Sequence, residues 1–89
     1  MSREELEEAS GHLRRAAETA EGETREKLAE QSQRFADAAS RESGPDHGWL
    51  DRHTHVVREL GEELDEEGRE HVDDAVERIN AYRETVPGV

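Results

Sequence analysis

Cysteine is absent from the 89 residues, which removes disulfides and thiolate metal sites from consideration. Large apolar side chains are almost as scarce: Leu, Ile, Val and Phe together number 14, with one Trp and one Tyr. A domain of this size buries only about 60% of its unfolded surface, so such a core leaves a thin margin of stability. No apolar run approaches the roughly 20 residues that span a bilayer or has the form of a signal peptide, so the expectation is a cytoplasmic protein with no membrane partner. Lysine is nearly missing as well. Of 12 basic residues Lys27 is the single lysine, against 24 acidic residues, for a net charge of −12. An acidic excess with arginine in place of lysine fits a high-salt cytoplasm. Carboxylates hold water and cations there, whereas the long apolar stem of lysine is a liability when salt strengthens hydrophobic association. A field of this sign repels phosphate, so nucleic acid is not an expected partner.

Composition alone, poor in large apolar residues and rich in charge, is that of a disordered chain. The spacing of the apolar residues argues otherwise. Ser2 with Glu5 has the form of a capping box, and Leu6, Ala9, Leu13, Ala16, Ala17 and Ala20 then recur at intervals of three and four, one face of a helix. Gly22 suits a helix end and Thr24 a new cap, although a helix running on through Gly22 would lose only about 1 kcal/mol. Leu28, Gln31, Ser32, Phe35, Ala38 and Ala39 carry the period to about Arg41. Ser43-Gly44-Pro45-Asp46 is the strongest punctuation, since proline cannot continue a helix and Asp46 can cap the next. Trp49, Leu50, His53, Val56, Val57, Leu60 and Leu64 follow as a third apolar face. Asp65 offers another cap, in a turn loosened by Gly68. Val72, Ala75, Val76, Ile79, Tyr82 and Val86 form the fourth face, stopped by Pro87-Gly88. Nothing alternates with period two.

The halves match at an offset of 44 residues: Leu6 with Leu50, Leu13 with Val57, Ala20 with Leu64, Leu28 with Val72 and Phe35 with Ile79. The expected fold is therefore all-α, a single domain over 1–89 made of two tandem helical hairpins, 2–42 and 46–86, joined at 43–46. The apolar stripe of the third helix spans about 160°, where one neighbouring helix needs about 100°. The first hairpin is lined with alanine and buries little area by itself. Both features favour a four-helix bundle that packs as a dimer, with Trp49, His53, Val56 and Leu60 at the interface.

One segment, Gly44 to His55, invites a chemical reading. His47, Asp51 and His55 stand at i, i+4 and i+8 on the side turned away from the stripe, a spacing able to place three ligands around zinc or nickel. Exposed residues of these types are commonly just solvated, and no metal or other cofactor is expected. His53 falls inside the stripe, where a core or interface histidine hydrogen-bonded to a neighbour is its natural role. His71, with Glu67 and Asp74 on the same helix, has the look of a carboxylate–histidine site, while His12 lies one turn from Glu8 and reads as a surface pair. The Glu-x-x-His spacing of di-iron bundles is absent, as are phosphate-binding and dinucleotide motifs and a nucleophile elbow. An enzyme is not expected.

The Gly-Pro-Asp-His-Gly junction, the stretch to His55, and the ending from Glu70-His71 through Ala81-Tyr82-Arg83-Glu84-Thr85-Val86 resemble a family of short acidic helical proteins of haloarchaea. That resemblance covers nearly the whole chain. It implies the halophile setting and the helical fold, and it brings no activity. The functional expectation is a non-catalytic helical interaction protein that associates with itself or a protein partner. The alternative is a small ligand- or metal-binding regulator built on His47 to His55.

Overall fold

Asp46 and Asp65 each accept a hydrogen bond from the amide three residues on, Trp49 at 2.8 Å and Gly68 at 2.9 Å, and so cap the third and fourth helices as their sequence positions predict. The computed structural model describes residues 3–87 and contains four helices: α1 (Glu4–Thr19), α2 (Gly22–Ser40), α3 (His47–Gly61) and α4 (Glu66–Arg83). Among the described residues there is no strand. Ser2, the expected cap of the first helix, lies outside the described residues. Glu4, Glu5 and Glu7 fill the first turn of α1, where the macrodipole favours negative charge.

The first turn differs from its sequence reading. Ala20 and Glu21 are extended and Gly22 has φ +62°, so the chain breaks between α1 and α2 at the dipeptide before the glycine. Thr24 then lies inside α2 and caps nothing. Gly22 is needed for its backbone conformation, the left-handed region that costs other residues roughly 1–2 kcal/mol. Gly68 also has a different role from the one expected. It is buried in the first turn of α4, and an added Cβ would sit 2.6 Å from Thr19 Oγ1 and 2.9 Å from Leu64 Cβ. It is a close-approach residue at the α1–α4 contact, not a softener of the turn. The far end of the bundle is closed by Arg3, whose guanidinium donates to the carbonyls of Ala39, Arg41 and Glu42, groups that the end of α2 leaves without helical partners.

The helices run up, down, up and down in a body of 36 × 19 × 19 Å, each touching its two neighbours around the bundle. Small residues decide how closely they approach. Ala9, Ala16 and Ala17 let α1 lie tightly against both α2 and α4, whereas α3 stands further off, against α4 and more lightly against α2. Phe35, Leu6, Leu13, Leu28, Leu50, Ile79 and Val57 are fully buried between the four. At the tight α1–α2 contact two serines cross-bond. Ser10 Oγ donates to the Ser32 carbonyl at 2.7 Å, and Ser32 Oγ donates to the Ser10 carbonyl at 2.9 Å.

The 44-residue offset is visible in burial: Leu6 and Leu50, Leu13 and Val57, and Phe35 and Ile79 are all fully buried. The two hairpins are built alike and packed differently. The wide stripe of α3 also has its explanation inside the chain. α3 has two neighbours, α4 and α2, so the extra width does not by itself call for a second molecule.

Candidate functional site

The gap between α2 and α3 is filled by aromatic rings. Trp49, His53 and Val56 recur at i, i+4 and i+7 along α3 and so share one side of it. Trp49 meets Phe35 of α2 edge-on at 5.1 Å between centroids, and the His53 ring lies 4.2 Å from that of Trp49. Arg41 caps the outer face of the indole at 5.9 Å. Trp49, His53 and Val56 remain only partly buried, forming an apolar strip along the loosest seam of the bundle. Leu60, expected on the same surface, is 8% exposed and belongs to the core, so the strip ends at Val56.

His53 is held in place from across the seam. Its Nδ1 donates to Gln31 Oε1 at 3.1 Å, the hydrogen bond to a neighbour that its place in the stripe implied. Loss of solvent pushes its pKa below the ordinary imidazole value of 6.5. The nearby Arg34 and Arg52 add to the shift, and Glu30 opposes it. The ring therefore favours its neutral form.

His47, Asp51 and His55 share a helical face but are engaged separately. His47 Nε2 donates to the Pro87 carbonyl at 3.2 Å, Asp51 pairs with Arg83 of α4, and His55 Nε2 lies 3.3 Å from Glu59. A different set converges. His12 of α1 meets His71 and Asp74 of α4, with one ligand atom from each within 4.8 Å of the others. His71 and Asp74 stand one turn apart on the same helix, as their spacing implies. His12 lies one turn from Glu8, but Glu8 pairs instead with Arg78 of α4 at 3.5 Å. Only the packing of α1 on α4 supplies the third member, and no local spacing reveals it.

A family model matches residues 1–85. The chain belongs to DUF7553, a family of unknown function. No curated protein and no solved structure matches it. Among the described residues of this DUF7553 chain, no helix is long and apolar enough to cross a membrane. Its surface hollows are open and lined chiefly by charged side chains. One of about 400 Å³ lies between Arg58, Glu62, Arg69 and Asp73, over Gly61 and Val72. Another runs from Arg15 and Glu18 of α1 to Glu67 and His71 of α4, beside the His12 cluster.

Proposed function

We propose that this DUF7553 chain is a non-catalytic helical interaction protein of a high-salt cytoplasm, and that it pairs with a second copy along the α2–α3 seam. The observation that carries this reading is the partly exposed Trp49, fixed against Phe35 and His53 where the bundle is least tightly packed. A half-buried aromatic with apolar flanks is the type of anchor that contributes most at protein interfaces. The surroundings favour association of two acidic chains. Arg41 and Arg52 rim the strip together with Arg34, which is paired with Glu30 at 3.1 Å, so copies approach here against less repulsion than their carboxylate-rich faces would impose.

Light scattering after gel filtration in molar KCl tests the pairing. The expected mass is about twice 10.1 kDa. Val56→Arg, at the rim of the strip and outside the core, should give a monomer with unchanged helicity, because it places one more guanidinium in an apolar contact already rimmed by arginines. A wild-type monomer at high micromolar concentration would refute the proposal.

A further inference from the structure

The α1–α4 contact is among the closest in the bundle, and along its polar edge it holds a set of ligating side chains. His71 and Asp74 stand at i, i+3 on one face of α4, and His12 reaches them from α1. Both imidazoles are half-buried and Asp74 is exposed. The ligand atoms lie within 4.8 Å of one another. A tetrahedral ion with bonds of about 2.0–2.1 Å needs them about 3.4 Å apart, a closure within the reach of side-chain rotation.

The internal repeat bears on whether these residues are there for packing. At the 44-residue offset, His12, His71 and Asp74 correspond to Val56, Lys27 and Glu30. The fold accepts valine and lysine at the equivalent places, so neither imidazole is dictated by the hairpin architecture. The surroundings are also suited to a cation. The chain carries −12 overall, and the adjoining hollow is lined by Glu18, Asp65 and Glu67. One contact competes: Arg15 Nη1 donates to His12 Nδ1 at 3.2 Å. Arg15 is exposed and can turn into solvent.

We propose that His12, His71 and Asp74 form a binding site for a divalent transition-metal ion of the zinc type. Two imidazoles and one carboxylate suit zinc, cobalt or nickel better than calcium or magnesium, which favour oxygen donors throughout. Three protein ligands leave a fourth position for water. Because α1 belongs to the first hairpin and α4 to the second, the ion joins the two halves of the molecule and stabilises the folded state by mass action. The site does not depend on the α2–α3 pairing and is expected at one ion per chain in monomer or dimer.

The test is titration calorimetry of zinc chloride into the chelator-treated full chain near neutral pH, followed by cobalt substitution to read coordination from the visible spectrum. The expected result is one saturable site, weakened at least tenfold in His12→Ala, His71→Ala and Asp74→Asn. Binding should be unchanged in His47→Ala and His55→Ala, and tighter in Arg15→Ala, where the competing guanidinium is gone. Circular dichroism of each variant establishes that it is folded; the exposed Asp74→Asn serves if either histidine variant is not. Zinc should raise the melting temperature of the wild type and leave that of Asp74→Asn nearly unmoved. Absence of saturable binding overturns the proposal, as does an isotherm that survives His71→Ala or Asp74→Asn.

Discussion

Replacing Thr54 with valine should make the protein more stable, an uncommon result for a buried position. Thr54 is 8% exposed, and its Oγ1 is buried with no hydrogen-bond partner. The repeat shows why. Thr54 corresponds to Ser10, whose hydroxyl is satisfied by Ser32 across the α1–α2 contact, but the counterpart of Ser32 is Val76, which has no polar atom to offer. A hydroxyl desolvated without a bond costs about 1–3 kcal/mol. A methyl in its place adds about 0.8 kcal/mol of burial, and β-branching is retained, so helix propensity changes little. A gain of about 2–4 kcal/mol follows, worth about 4–8 °C in melting temperature per kcal/mol for a chain of this length. Ser10→Ala should move the other way by about 1 kcal/mol, because it removes a buried bond that is made. Thermal unfolding followed by circular dichroism in molar KCl reads both. If Thr54→Val is neutral or destabilising, or if Ser10→Ala stabilises equally, the account of the two repeat-related hydroxyls is wrong.

Gly22→Ala should cost about 1–2 kcal/mol through backbone conformation alone, since nothing lies within 4 Å of the added methyl; a melting temperature equal to wild type would refute the left-handed turn. His53 should titrate below 6.5 by NMR, and its neutral form is the one the fold favours. Its contribution to stability is therefore complete above that value and is lost as pH falls through the lower folded-state value, a dependence that His53→Gln should flatten in molar KCl. The fold should also need salt. Charges on neighbouring helical turns sit about 5–6 Å apart, within the Debye length of about 10 Å at 0.1 M but beyond the 3 Å reached at 1 M. Cooperative unfolding should shift to higher temperature between dilute buffer and molar KCl, and a melting point indifferent to KCl would refute the halophile reading.

The helices were legible because their signals are local. Two aspartate caps, a proline and the three-and-four spacing of apolar residues set α3 and α4 where Asp46 and Asp65 place them. The first turn was less clear, because Gly22 suits a helix end and is also tolerated inside a continuous helix, and only the extended Ala20 and Glu21 with the positive φ of Gly22 show the break. The width of the α3 stripe could be measured from sequence, but the number of neighbours sharing it could not. That number depends on how far apart α2 and α3 stand, which Phe35, Trp49 and His53 set jointly. The candidate sites divide along the same line. His47, Asp51 and His55 share a face yet find separate partners on Pro87, Arg83 and Glu59, so a regular spacing overstated their association. The set of His12 with His71 and Asp74 crosses two helices, and such a meeting exists only after the bundle has formed.

The unequal packing of the four helices also has a consequence in time. α1 is pinned on two sides by close contacts, while α3 is held by longer side chains and a looser seam. Local opening draws on the least-packed unit first, so α3 should swing away while α1, α2 and α4 stay together, and its amides should exchange with solvent long before those of α1. The molecule then behaves as a three-helix body with a hinged fourth member. Each opening uncovers the inner face of Phe35, so the briefly opened protein presents more apolar surface beside Trp49 than the closed one.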